Sequence, residues 1–231
     1  MEKLLNLLYP RVCCFCGEIN KKGVCSSCIE KIVYIKESRC KRCGRPVRYE
    51  EQEFCHECDG KEFYYEQGRS IWLHREPVSS SIYQFKYHNR RVYGKFYAEE
   101  MYRLFEKEIK EWEIDVIIPV PLHKKRQRIR GYNQAEVMAK HLGHLTGIFV
   151  DTKLVQRKRD TKPQKELGNK GRKQNLQDAF CISSDLIYYR SALLIDDIYT
   201  TGSTIDAVAG VLKKKGVSRV WFLSISIGQD F

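Results

Sequence analysis

The chain has 231 residues, of which 42% are hydrophobic, and it carries 41 Lys and Arg residues against 29 Asp and Glu residues. This length suits one or two domains, and the apolar share is large enough to build a core, which excludes an intrinsically disordered chain. No run of roughly 18 uninterrupted apolar residues occurs, so the sequence predicts no membrane span.

The net charge of +12 is concentrated in two segments. Residues 122–131 contain five basic residues and no acid, and residues 153–173 contain nine basic residues and two acids. The rest of the chain is therefore electrically neutral. An excess of this kind favours a polyanionic partner, such as a nucleic acid or a phosphorylated substrate.

The first predicted unit in chain order is a small cysteine-rich zinc-binding module at residues 1–62. Eight of its cysteines form four CxxC pairs, namely Cys13 and Cys16, Cys25 and Cys28, Cys40 and Cys43, and Cys55 and Cys58. Because four thiolates complete a tetrahedral Zn²⁺ site, eight thiolates predict two structural zinc ions. The residues before Pro10 lack the apolar core of a secretory signal, which favours a cytoplasmic, reduced protein over a disulfide framework.

The spacing of the CxxC pairs favours sequential pairing, in which the first pair joins the second and the third joins the fourth. Eight residues separate the first two pairs, and eleven separate the last two. A ribbon of either length can bring two cysteine knuckles together, although a cross-braced arrangement is also compatible with the spacing. Gly17 and Gly44 follow the second cysteine of their pairs, where we expect a turn with a positive φ.

The composition changes after Gly60, and residues 65–231 predict an α/β domain. We expect, in order, a strand at 70–76, helices from Val78 and at 95–111, a strand at 115–120, a helix at 133–146, one or two strands near 148–157, a long polar loop, a strand at 192–196, a helix at 203–215 and a strand at 219–226. Strands that alternate with helices of about 10–15 residues predict a mainly parallel sheet flanked by helices.

The most informative segment is LLIDDIYTTGST at residues 193–204. Its apolar strand ends in Asp196 and Asp197, and the loop to the next helix consists of Thr200, Thr201, Gly202, Ser203 and Thr204. Backbone N–H groups at a helix start bind phosphate, and ligands of open α/β sheets lie at the carboxyl ends of strands. A simple helix cap would explain the loop but not the two acids before it. The segment therefore predicts a site for a phosphorylated sugar.

This segment resembles, along its full length, the phosphoribosyl pyrophosphate (PRPP) motif of type I phosphoribosyltransferases. Three further blocks resemble the ComF family of competence-associated proteins: the cysteine ribbon in front, DVIIPVPLHKKRQRIRGYNQA at 115–135 and KPQKELGNKGRKQN at 162–175. The blocks occur in the order of that family and cover nearly the whole chain. The resemblance implies a type I phosphoribosyltransferase-like α/β fold behind the zinc module.

The resemblance also implies roles for individual residues. Asp196 and Asp197 would bind the ribose hydroxyls, and the loop Thr200–Thr204 would hold the 5-phosphate. The turn from Val120 to Lys125 would hold the pyrophosphate of PRPP, which would bring Mg²⁺ with it. The cations expected to bind pyrophosphate or DNA are Lys124, Lys125, Arg126, Arg128, Arg130 and Arg172. The segment Lys158–Asn175 would close over the site.

For function, the resemblance implies a cytoplasmic protein of natural competence and DNA uptake, with PRPP, single-stranded DNA and a competence helicase or other DNA-processing protein as partners. Segment 82–93 alternates aromatic residues with Lys86, Arg90 and Arg91, a pattern typical of single-strand binding by base stacking. The alternative is that these aromatic residues belong partly to the core and that the cations form a solvated face.

An active nucleobase or amine phosphoribosyltransferase, with the zinc module as its hood, is the alternative function, and a PRPP sensor without catalysis is a third. The sequence contains no segment identifiable as a nucleobase-binding hood and no assignable general base. We therefore expect PRPP binding and assign no catalytic residue.

Overall fold

A five-stranded sheet, in which every pair of neighbouring strands is parallel, organises the α/β part of the chain. The structure is a computed structural model and describes residues 12–20, 23–36, 38–158, 179–184 and 188–228. Its elements are α1 (Ser26–Ile29), β1 (Gln67–Leu73), α2 (Val78–Tyr87), α3 (Tyr93–Glu111), β2 (Val116–Pro119), α4 (Lys124–Arg130), α5 (Gln134–Thr146), β3 (Phe149–Val150), β4 (Val155–Arg157), β5 (Phe180–Ile182), β6 (Ser191–Tyr199), α6 (Ser203–Lys214) and β7 (Arg219–Ile227). The strand order is β1-β7-β6-β2-β3, and β4 and β5 form a separate antiparallel pair.

The predicted fold class, a mainly parallel sheet flanked by helices behind a cysteine-rich module, is confirmed. Several elements differ from the prediction, and one of them, β5, lies within the predicted long polar loop. Strand β1 lies at Gln67–Leu73 rather than at 70–76, because its pairing with β7 begins at Gln67 and Trp221. Strand β6 continues beyond the acids to Tyr199, which pairs with Ile227. The residues from Lys124 form the helix α4 instead of a turn.

The sheet separates two apolar cores. Because side chains alternate along a strand, Leu194 of β6 packs on the face covered by α6, whereas Leu193 and Ile195 pack on the face covered by α2, α3 and α5. The second half of the zinc module joins the α6 core, and Cys14 of the first half joins the opposite core. No helix within the described part of the chain is both long and apolar enough to cross a lipid bilayer.

The cysteine-rich module also covers the outer edge of β1. The N–H of Gly68 donates to the carbonyl oxygen of Arg42 at 2.8 Å, and the N–H of Ile35 donates to that of Ile71 at 3.1 Å. These bonds occupy backbone groups that an edge strand would otherwise leave unpaired. The division into a module at 1–62 and a domain at 65–231 stays a prediction. Hydrogen bonds between the two parts join them directly at β1.

Candidate zinc and phosphate-binding sites

Two clusters of four cysteines form the metal sites of the amino-terminal module. Within each cluster the sulfur atoms lie within 4.8 Å of one another; the clusters are Cys13, Cys16, Cys25 and Cys28, and Cys40, Cys43, Cys55 and Cys58. The pairing is therefore sequential, as the spacing favours, and not cross-braced. A donor set of four thiolates fits tetrahedral Zn²⁺ and leaves no coordination position for water, so both sites fit structural zinc.

The same turn opens both ribbons. The N–H of Gly17 donates to the carbonyl oxygen of Cys13 at 2.9 Å, and the N–H of Gly44 donates to that of Cys40 at 3.0 Å. Both glycines have a positive φ, 81° for Gly17 and 74° for Gly44, as expected. A residue with a Cβ would be strained in either turn, which explains why each of these CxxC pairs is followed by glycine.

The two acids at the carboxyl end of β6 have different surroundings. Burial, followed by the negative charge of Asp197, raises the pKa of Asp196 to about 7. Asp196 Oδ1 accepts the backbone N–H of Asp197 at 2.8 Å. Asp197 forms an ion pair with Lys86 of α2, with 2.8 Å between Oδ1 and Nζ. The site therefore combines a carboxyl group of raised pKa, that of Asp196, with a second acid that forms an ion pair with a lysine.

The loop from Thr200 to Thr204 leads into an open helix start. Gly202 is the N-cap residue of α6 and has no side chain with which to cap the first N–H groups of that helix. The hydroxyl oxygens of Thr201 and Ser203 lie 2.9 Å apart in the same loop. Backbone N–H groups and hydroxyls are the donors that a phosphate requires, so the loop is chemically suited to an anion.

Tyr199 supports this loop from the core side. Its hydroxyl oxygen lies 2.7 Å from that of Tyr65, and its ring stacks on Phe222 with 4.7 Å between centroids. A Cβ added to Gly202 would lie 2.5 Å from the Tyr199 hydroxyl oxygen, and the φ of Gly202 is 78°. Both the backbone angle and the available space therefore require glycine at this position. Burial raises the pKa of Tyr199 and Tyr65, so both phenols stay neutral.

The chain after β2 emerges beside the acidic pair. Pro119 pairs with Ile195 of β6, and the N–H of Val120 donates to the carbonyl oxygen of Ile195 at 2.9 Å. Asn133 holds the Val120 carbonyl from the other side, since its Nδ2 donates there at 3.0 Å. The segment predicted to hold pyrophosphate therefore begins next to Asp196.

Helix α4 replaces the remainder of the predicted turn because both of its ends are capped. The His123 Nδ1 atom accepts the N–H of Lys125 at 3.3 Å, and Gly131 ends the helix with a φ of 77°. Of the predicted cations, Lys124, Lys125 and Arg128 are exposed, and Arg126 and Arg130 are half-buried. Arg172 and residues 159–175 of the predicted closing segment lie outside the described residues.

The aromatic residues of segment 82–93 divide between the core and the surface. Phe85 is fully buried, whereas Tyr83 and Tyr87 are each 54% exposed, with 4.9 Å between their ring centroids. The Arg130 guanidinium lies over the Tyr87 ring at 4.8 Å and donates to its hydroxyl oxygen at 3.0 Å. Part of this segment therefore belongs to the core, as the alternative interpretation expects, and single-strand binding by its exposed rings stays a prediction.

Lys86 lies at the acidic pair, whereas the sequence indicated it only as a cation of the predicted single-strand binding segment. It belongs to the basic and aromatic segment of α2, and its ion pair with Asp197 joins residues far apart in the chain. Both side chains are largely buried, with 16% of Lys86 and 14% of Asp197 exposed. No spacing or motif connects the two positions, so only the packing of α2 on the sheet reveals the pair.

The fold and these sites define a protein of two zinc ribbons joined to a parallel α/β domain, with an acidic pair and a hydroxyl-rich loop near the carboxyl end of its central strand. The family model described as a double zinc ribbon domain matches residues 4–59. Competence protein F of Haemophilus influenzae is 33% identical over 213 residues, which cover 89% of this chain and 92% of that protein. The chain therefore belongs to the ComF family of competence proteins.

Other similar proteins include Competence protein ComFC of Streptococcus pneumoniae, which is 27% identical and aligned over 87% of this chain and 86% of its own length. DNA utilization protein YhgH of Salmonella typhimurium is 28% identical, over 94% of this chain and 98% of its own. Among solved structures, a purine phosphoribosyltransferase from Pyrococcus horikoshii aligns with 57% of this chain and 74% of its own, at 18% identity and a TM-score of 0.37.

We expect two zinc ions per purified chain, and we expect their removal by a chelator to unfold the ribbons. Structural zinc contributes about 10–16 kcal/mol to the folding of small zinc-binding peptides, more than a short module with few large aliphatic residues can replace. Native mass spectrometry measures the metal count. Cys55→Ser should lose one zinc ion. The control Cys181→Ser changes a cysteine outside both clusters and should keep two zinc ions. A single zinc ion in the wild type would contradict the assignment of two sites.

We also expect Asp196 to make stability fall as the pH rises. The pKa of its carboxyl is about 7 in the folded protein and near 3.8 in the unfolded chain, so between these values the folded state holds more protons. The contribution of Asp196 to stability should therefore decrease from about pH 4 to pH 7 and level off above that range. The zinc thiolates titrate alike in the wild type and in Asp196→Asn, so the melting temperature of Asp196→Asn relative to the wild type should rise with pH across this range. The exposed Glu62→Gln variant should keep a constant difference from the wild type, and a constant difference in Asp196→Asn would refute the assignment.

Proposed function

We propose that this protein is a ComF-type protein of natural competence that binds PRPP and single-stranded DNA in the cytoplasm. Its relatives are named as competence proteins and DNA utilization proteins, which supports a role in DNA uptake. A competence helicase or another DNA-processing protein is the proposed protein partner. Retention of eight cysteines as zinc ligands favours the reducing cytoplasm.

PRPP binding is supported by one observation above all. The acidic pair lies near the carboxyl end of β6, and the loop that follows this strand leads directly into the start of α6. A 5-phosphate on the loop Thr200–Thr204 would leave the ribose hydroxyls near Asp196 and Asp197. The pyrophosphate would then meet the segment Val120–Lys125, which begins beside β6. Mg²⁺ would be held by PRPP oxygens, with carboxylate oxygens available beside it. The proposal concerns binding and makes no claim of turnover.

Asp197→Asn and Thr201→Ala should each abolish the rise in melting temperature that PRPP with Mg²⁺ gives the wild type. The first variant removes a charged acceptor for ribose hydroxyls, the second removes a donor to phosphate, and a ligand raises the melting temperature only while it binds the folded state. Scanning fluorimetry with and without PRPP measures the shift. Glu111→Gln, at the end of α3, should keep the full shift in melting temperature. If the two site variants showed the same shift as the wild type, this site would be excluded.

Single-stranded DNA binding is supported by a surface on α2 and α4, the aromatic–basic surface, which comprises Tyr83, Tyr87, Lys124, Lys125, Arg128 and Arg130. Its two exposed tyrosine rings offer faces on which bases can stack, and the exposed cations of α4 can contact the phosphate backbone. Arg91, in the segment between α2 and α3, contacts the end of α4, because its Nη2 donates to the carbonyl oxygen of Gly131 at 3.0 Å. Aromatic rings for stacking and cations for phosphate contact thus lie side by side on this surface.

Replacing both Tyr83 and Tyr87 with alanine should weaken binding of a labelled single strand by about 1–3 kcal/mol for each stacked base that is lost. Lys124→Ala should instead reduce the dependence of the affinity on salt, since one fewer phosphate is neutralised. Fluorescence anisotropy across a salt series measures both effects. Tyr188→Ala, at an 85% exposed tyrosine outside this surface, is the matched control. Unchanged affinity in the double variant would exclude this surface.

A further inference from the structure

The second zinc ribbon, residues 40–58, makes a direct contact with the phosphate loop Thr200–Thr204. Arg45 follows the knuckle glycine of this ribbon, and only 7% of its surface is exposed. Its Nη2 donates to the carbonyl oxygen of Thr200 at 2.9 Å. A hydrogen bond from a charged donor is stronger than one between neutral groups. The ribbon thus holds the loop through a side chain that neither the cysteine pattern nor the loop motif includes.

This hydrogen bond orients the next backbone donor of the loop. A trans peptide unit is planar, and its C=O and N–H groups point in opposite directions. Because the carbonyl oxygen of Thr200 is turned toward Arg45, the N–H of Thr201 points away from Arg45. Arg45 therefore sets the direction of a loop N–H group without occupying the place of a ligand.

Two further contacts keep the ribbon in place behind the loop. A Cβ added to Gly44 would lie 2.8 Å from the carbonyl oxygen of Gly68, so the knuckle turn rests directly on β1. Just after the ribbon, the Tyr65 hydroxyl oxygen lies 2.7 Å from that of Tyr199, the residue before the loop. The turn before Arg45 is thus fixed on β1, and Tyr65, which follows the ribbon in the chain, contacts the residue before the loop.

The first ribbon lies elsewhere. The Ser81 hydroxyl of α2 donates to the carbonyl oxygen of Cys14, and the ring of Phe15 lies 5.6 Å from that of Trp72. These contacts belong to the core on the opposite face of the sheet. The two ribbons therefore differ in what they support, although their turns are alike.

We propose that Arg45 is a positioning residue of the phosphate loop, through which the second zinc ribbon sets the affinity of this loop for a phosphate monoester. The inference rests on the proposed function, because that function assigns the loop to the 5-phosphate of PRPP. The inference gives the second zinc ribbon a distinct role: besides stabilising the fold of residues 40–58, the ribbon supports ligand binding by the phosphate loop.

Titration calorimetry of the full chain with ribose 5-phosphate tests this proposal. Arg45→Ala should lower the affinity about tenfold, equivalent to about 1.4 kcal/mol. Arg45→Lys should recover part of the loss, because its ammonium group can donate to the same carbonyl. Arg48→Ala, at an exposed arginine of the same ribbon, should bind as the wild type does. Inorganic pyrophosphate is the contrast ligand, and its affinity should be equal in all four proteins.

The outcomes separate this inference from the proposed function. Equal ribose 5-phosphate affinity in the wild type and Arg45→Ala would overturn the role of Arg45 and leave the phosphate site intact. A parallel loss of affinity for both ligands in Arg45→Ala would also overturn it, since that pattern indicates a general structural defect. If Arg45→Ala does not fold, Arg45→Lys must bind ribose 5-phosphate less tightly than the wild type. Absence of binding by the wild type would overturn both proposals.

Discussion

The structure depends on the hydrogen bonding of β6 to a strand on each side. Strand β7 pairs with it from Ser191 to Tyr199, and β2 pairs with its first half. With both edges paired and both faces covered by helices, β6 ends at a fixed position in the sheet. Asp196, Asp197 and the loop after them take their positions from that strand end. The same pairing places the chain after β2 beside them, although the two segments are far apart in sequence.

Helix α2 connects the two proposed ligand surfaces because its neighbouring residues point in different directions. Successive residues of an α-helix are rotated by about 100°, so Phe85 enters the core while Lys86 reaches Asp197. Tyr83 and Tyr87, four residues apart, share the exposed side. A single helix thus lies against the acidic pair and presents an aromatic pair to solvent, which places the proposed sugar-phosphate and DNA contacts near each other.

The parts of the structure that local sequence determines could be predicted. The cysteine spacing indicated sequential clusters because each ribbon is a short hairpin, and Gly17 and Gly44 marked turns whose φ is positive. The segment with both acids and the loop is also continuous. By contrast, the contacts of Lys86 with Asp197 and of Arg45 with Thr200 join distant segments, so no local pattern contains them. The helix α4 was missed because its seven residues are largely charged and bury none of their side chains.

The covered edge of β1 has a consequence for a chain that loses its zinc. Hydrogen bonds from Gly68 to Arg42 and from Ile35 to Ile71 keep this strand from presenting open backbone groups. If the ribbons unfolded while the sheet persisted, the amide and carbonyl groups along β1 would become available to the same strand of another molecule. We therefore expect metal loss to favour strand-to-strand association between chains through the uncovered edge of β1.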